Sequence, residues 1–217
     1  MNPNIEALYQ ISGKSERTIL GLMSGTSLDG LDIAVCTFLG SGTHTKLNVT
    51  HYTTIPYTED FKAAVRKIFS IRAVDLEAVT LLNAHIARVH ATMVLSALES
   101  WKLNASSIDA IASHGQTIYH APKFLHPTSN YGNATLQIGD GDIISTATGI
   151  ITISDFRQKH IAAGGEGAPL ALFGDTILFA SETENRVLLN MGGIANFTYL
   201  PAGQTTNIIS TDVGPAN

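Results

Sequence analysis

Three runs rich in β-branched and aliphatic residues, "RTILGLM" (17–23), "LDIAVCTF" (31–38) and "KLNVTHYTTIP" (46–56), follow one another with only Gly/Ser/Thr turns between them. They read as an antiparallel meander. The order strand, small-residue tip, strand, turn, strand returns at 186–193, 194–200 and 206–214. An offset of 169 puts Arg17, Leu20 and Ser24 on Arg186, Leu189 and Gly193. That identity is too thin for a sequence repeat, so the recurring plan is the stronger signal. Two domains of one α/β plan are expected, the first over residues 1–182 and the second over 183–217, with the boundary in the polar "SETENR" (181–186). A lone three-stranded meander is marginal, so the second domain is expected to be truncated.

Between the meanders the hydrophobic period changes. "TEDFKAAVRKIFSI" (58–71) is helical with Thr58 as N-cap, and a longer helix runs from about Asp75 to Trp101 with Leu82, Ile86, Val89 and Met93 on one face. "IDAIAS" (108–113) reads as a short buried strand ending at "HGQT", and "NATLQIGDGDIISTATG" as a strand followed by a short helix. "IITISDF" (150–156) reads as another buried strand, and "APLALFGDTILFA" (168–180) as a helix with Pro169 in its first turn. His85 and His90 lie five apart on the long helix, share no face and are expected to be solvated.

Composition narrows the function classes. The net charge is −5 and no Lys/Arg block exceeds two residues, which argues against non-specific nucleic-acid binding. No secretory leader is expected from the first residues, and no apolar run near the ~20 residues of a membrane span is expected either. The single cysteine, Cys36, sits in a strand pattern and reads as an inert thiol. Charged residues, at 14%, fall below the usual ~25%, as for a chain with extensive burial or one with surface covered by something else. These features together lead to the expectation of a cytoplasmic protein that contacts neither membrane nor nucleic acid.

The tip "GLMSGTSLDGLD" (21–32) is long, polar and glycine-rich for a connection between two strands. It lacks the lysine and following helix of a P-loop and the helix of a dinucleotide fingerprint. Two readings remain: a turn using glycines for positive φ and aspartates for local hydrogen bonds, or a cradle of backbone N–H groups for an anion. In the second, Thr26 and Ser27 add hydroxyl donors and Asp29 could hold a hydrated Mg²⁺. The later tip "NMGGIAN" favours the second reading, because two such tips on like domains would face each other across a cleft. Phosphates clamped in this way characterise the actin, hexokinase and heat-shock-chaperone superfamily.

A closer resemblance follows. "GLMSGTSLDGLD", "SHGQTIYHAP", "TLQIGDGDIIS", "SDFRQKHIAAGGEGAPL", "NMGGIANFT" and "TDVGPAN" occur in this order over 21–217. Together they resemble the anhydro-N-acetylmuramic acid kinases. The resemblance implies an actin-like (ribonuclease H-like) ATPase domain followed by the first strands of a second. It also implies ATP and Mg²⁺ as cofactors, an amino sugar as small-molecule substrate, and a homodimer as one expected assembly. Gly25, Thr26, Ser27, Leu28, Asp29, Gly30, Leu31, Asp32, Gly192 and Gly193 would then bind the nucleotide, and His114, Gln116, Thr117 and Arg157 the sugar. Asp155, at the end of "IITISD", would be the general base; its alternatives are an N-cap or an ion pair with Arg157, and Arg157 would pair either with the sugar's carboxylate or with Asp155. The chain departs from the family at Gln158, Lys159, His160, Glu166, Val213 and Ala216.

The expected activity is ATP-dependent opening of 1,6-anhydro-N-acetylmuramic acid by water with phosphorylation of O6, giving N-acetylmuramic acid 6-phosphate for cell-wall recycling. Two other readings stay open: a non-catalytic half that needs a separate second lobe, and a sugar hydrolase that works without ATP.

Overall fold

A computed structural model describes residues 2–128, 130–203 and 206–216; Asn217, the last residue of "TDVGPAN", lies outside them. The expected first meander is present as β1 (Glu16–Ser24), β2 (Gly30–Leu39) and β3 (Lys46–Pro56), all antiparallel. Before it, α1 (Pro3–Gly13) is an N-terminal helix with no buried residue, capped by Asn2. Thr58 caps α2 (Glu59–Arg66) as expected, its hydroxyl accepting from the Phe61 N–H at 3.3 Å. The helix ends at Arg66, short of the expected residue 71. Asp75 caps α3 (Leu76–Ser100).

The chain then enters β4 (Ala110–Ala121), parallel to β1. This strand does not end at "HGQT" as expected; a bulge carries it through, with Leu22 opposite Ser113 and Ser24 opposite Gln116. A bulge breaks the two-residue period, which is why the run looked terminated. β5 (Ala134–Ile138) returns antiparallel along β4, α4 (Gly141–Thr148) follows, and β6 (Thr152–Ile153) pairs parallel with β4. The segment 150–156 is therefore no full buried strand: only two of its residues pair, and Ile153 is half exposed. α5 (Phe156–Ala162) and α6 (Leu172–Phe179) come next. Pro169 stands before α6 rather than in its first turn.

The sheet order β3-β2-β1-β4, with β6 continuing parallel beyond β4, is the ribonuclease H-like plan of an actin-like domain. Its core joins the sheet to α2, α3 and α4 through the fully buried Leu20, Leu31, Ile33, Val65, Ile86, Val94, Ile111 and Ile144. The second meander, β7 (Arg186–Met191), β8 (Ile194–Leu200) and β9 (Ile209–Pro215), forms its own antiparallel sheet. α6, which precedes the expected boundary, is tied to that sheet where the Thr198 hydroxyl donates to Asp175 at 2.9 Å.

Two expectations about α3 need correction. By length and mean hydropathy (25 residues, 1.2) it reaches the range of a membrane span. Yet its Ile86, His90 and Val94 line up at four-residue spacing and pack fully buried against the core, so it is a core helix. His90 is accordingly not solvated, whereas His85 is exposed. The spacing from Ile86 to His90 carried that information.

Candidate active site

β5 and β6 occupy the same edge of β4 at different heights, β6 beside Ile111 and Ala112, β5 from Gln116 to Ala121. Where they part, a cavity of about 430 Å³ opens, lined by His114, Gly115, Gln137, Gly139, Asp142 and Asp155 among others. The bulge in β4 turns His114 toward this gap. Gly115 makes it possible: its φ is +71°, and a Cβ there would lie 2.7 Å from the Ile138 carbonyl oxygen.

His114 is buried and its tautomer follows from its partners. Arg157 Nε donates to its Nε2 at 2.9 Å; a guanidinium only donates, so Nε2 carries no proton. The proton sits on Nδ1 and goes to the Gly115 carbonyl at 2.8 Å. Burial, with the Arg157 charge beside it, holds the His114 pKa down at about 4, so the ring is neutral near pH 7. Arg157 also donates through Nη1 to the Gly167 carbonyl at 2.6 Å, and the Gly167 N–H donates to His160 Nδ1 at 3.0 Å. His160 thus holds the glycine-rich loop after α5.

Asp155 takes neither of the structural roles open to it. It stands at the N-cap position of α5, but its side chain makes no capping bond. Among the described residues it has no ion pair with Arg157, whose guanidinium is directed to His114 and Gly167. Its backbone is left-handed (φ 63°, ψ 34°), a conformation aspartate tolerates better than most residues. The result is an exposed carboxylate on the cavity wall, free of hydrogen bonds to the described residues.

The β1–β2 tip has a divided composition. Leu28 (φ +59°) and Leu31 are core side chains, 2% and 0% exposed. Gly30 fits against β3 because a Cβ there would overlap the Ile55 carbonyl oxygen. Asp32 accepts from Tyr52 Oη at 3.0 Å and Thr54 Oγ1 at 2.6 Å. Gly25, Thr26 and Ser27 remain half-buried and Asp29 is exposed. The amides of Thr26, Ser27 and Asp29 find no acceptor among the described residues, which leaves three donors for an anion. Gly192 and Gly193 form the β7–β8 tip, and a Cβ on Gly193 would come 2.9 Å from Thr26 Oγ1 and 3.6 Å from Ser27 N. The two tips therefore meet.

Of the expected sugar contacts, His114 lines the cavity, together with the expected base Asp155, while Gln116, Thr117 and Arg157 are not in its lining. Gln116 is fully buried, with Nε2 donating to the Gly25 and Thr117 carbonyls and Oε1 accepting from Ser24. Thr117 Oγ1 accepts from Gln137 Nε2 at 3.1 Å. Sequence reasoning missed Asn83 and Gln137. Asn83 Oδ1 accepts from the Gly139 N–H at 2.8 Å, and Gln137 Oε1 is buried without a partner among the described residues. Only the "TLQIGDGD" motif pointed to Gln137; nothing local marked Asn83, which reaches the cavity from α3.

Fold and site together define an actin-like domain with a polar cavity where β5 and β6 part along β4. The profile of the anhydro-N-acetylmuramic acid kinase family matches residues 17–217. The chain is 53% identical over its whole length to an anhydro-N-acetylmuramic acid kinase of Pseudoalteromonas translucida and 55% identical to one of Pseudoalteromonas atlantica. It spans 54% of the length of each. Among solved structures, YeaZ from Pseudomonas aeruginosa aligns over 92% of this chain and 68% of its own at 16% identity, with a TM-score of 0.26 that has no bearing on the fold. The chain belongs to the anhydro-N-acetylmuramic acid kinase family.

Proposed function

We propose that this chain contributes the water-activating carboxylate and two facing phosphate tips to an ATP-dependent kinase that converts 1,6-anhydro-N-acetylmuramic acid to N-acetylmuramic acid 6-phosphate. The observation that carries this reading is the uncommitted Asp155 carboxylate on the same cavity wall as neutral His114. Asp155 takes a proton from water as the water oxygen bonds to C1. The C1–O6 bond breaks, and O6 bonds to the γ-phosphorus while the bond from that phosphorus to the ADP leaving oxygen breaks. His114, with its Nδ1–H given to Gly115 and its Nε2 taken by Arg157, offers the sugar a fixed neutral ring as a wall and takes no proton.

The three open amides at Thr26, Ser27 and Asp29 fit a phosphate group, and the exposed Asp29 carboxylate fits a hydrated Mg²⁺. Bound there, Mg²⁺ would neutralise phosphate charge. Gln137 Oε1, buried and unpartnered, fits a sugar N–H or O–H donor.

Asp155→Asn in the full-length protein keeps the shape and removes the base. Turnover is expected to fall by ~10²–10⁴ with ATP affinity nearly preserved. Reaction in ¹⁸O-water, sampled before anomeric exchange, should place the label on C1. Label in the transferred phosphate, or near-normal turnover of the variant, overturns the assignment.

A further inference from the structure

Four buried polar side chains lie behind the β1–β2 tip and make a single chain of hydrogen bonds. Ser24 Oγ reaches Gln116 Oε1, Tyr57 Oη lies 2.8 Å from Ser24 Oγ, and His90 Nε2 lies 2.8 Å from Tyr57 Oη. All four residues are 4% exposed or less. They come from β1, β4, α3 and the segment after β3, so no sequence motif unites them.

The direction of every bond follows by elimination. Gln116 has two carbonyls, of Gly25 and Thr117, on one end of its amide, at 3.4 and 3.1 Å. Carbonyls only accept, so that end is Nε2 and the end facing Ser24 is Oε1. Ser24 must then donate to Gln116, which leaves its oxygen to accept from Tyr57. Tyr57 has spent its one hydrogen and accepts from His90, whose proton therefore sits on Nε2. His90 Nδ1 is left bare, and it is indeed buried without a partner among the described residues. It faces Gly139 in the cavity wall, where a Cβ would lie 4.0 Å away.

The chain ends at the Gly25 carbonyl, which also accepts from the Leu28 N–H at 3.3 Å. In a planar trans peptide the C=O and the following N–H point in opposite directions. Holding the Gly25 oxygen inward thus turns the Thr26 N–H outward, where it has no acceptor among the described residues. We propose that His90, Tyr57, Ser24 and Gln116 are positioning residues for the nucleotide, a one-way relay that pins the Gly25 carbonyl and aims the Thr26 amide at the phosphates. The inference rests on reading the tip as the phosphate site and extends it into the core behind.

Equilibrium binding of Mg²⁺-ATP, adenosine and the anhydro sugar to the full-length protein tests it. Tyr57→Phe keeps the ring stacked on Phe61 and deletes both bonds of the hydroxyl. ATP should bind about tenfold more weakly, the worth of one well-aimed hydrogen bond, with adenosine and sugar affinities unchanged. His90→Leu should repeat the defect and His90→Gln, which retains an N–H donor, should restore ATP affinity; this pair decides the matter if Tyr57→Phe fails to fold. Unchanged ATP affinity in Tyr57→Phe or His90→Leu, or equal losses for ATP, adenosine and sugar, overturns the relay while leaving the kinase reading intact. Absence of ATP binding by the unsubstituted protein overturns both.

Discussion

Arg157 shows how a single side chain organises the candidate active site. Its planar fork reaches the bare Nε2 of His114 and the carbonyl of Gly167, so it fixes a histidine tautomer and a loop at once. A lysine offers one ammonium on a flexible stem and cannot make both bonds in plane. Arg157→Lys is therefore expected to destabilise the protein by about 1.5 kcal/mol, since a part-buried hydrogen bond from a charged donor is lost. Urea unfolding at pH 7 measures it; a change below about 0.5 kcal/mol would mean that the fork carries no structural weight.

The meeting of the two hairpin tips is the corresponding feature at the level of elements. Gly193 sits where a side chain would enter the Thr26–Ser27 tip. A methyl group could be met by rotation of Thr26, but the branched side chain of Gly193→Val has no such escape. This substitution should push the tips apart and lower kcat/KM for ATP on the order of tenfold or more, since a displacement of about 1 Å can cost ~10² in rate. The KM for the sugar should not follow, because the β4–β5–β6 cavity lies on other elements. Parallel loss of both constants would contradict a separate nucleotide tip.

Taken whole, the molecule buries two neutral imidazoles, and this ties its stability to pH. Burial depresses His90 to about 4, and burial with the nearby Arg157 charge depresses His114 to about 4. An unfolded histidine titrates near 6.5. Between these values the unfolded state binds more protons, so stability is present above pH 6.5 and is lost as the pH falls toward 4. The loss from pH 7 to pH 5 is about 2 kcal/mol for each ring, a sizeable part of a typical 5–15 kcal/mol. Urea midpoints at pH 7, 6 and 5 should fall accordingly, and His90→Gln should remove about half of that slope. A flat profile would show that neither ring stays neutral in the folded protein.

Much of this architecture is local and was legible in the chain. The meander strands follow the two-residue period, α2 and α3 start at the expected Thr58 and Asp75, and Asp155 stands in a contiguous motif. Contacts within a few residues depend on backbone geometry that the neighbouring side chains already dictate. The bulge at His114–Gly115, the two-residue β6, the partner of His90 and the inward turn of Gln116 were decided otherwise. Ser24 and Gln116 are 92 positions apart, and Tyr57 and His90 are 33 apart. Whether such groups meet depends on how β1 and β4 align and how α3 lies across them. A buried polar group must then take whichever partner the closed sheet presents. Periodicity locates a side chain on a face; only the packed structure supplies what that face touches.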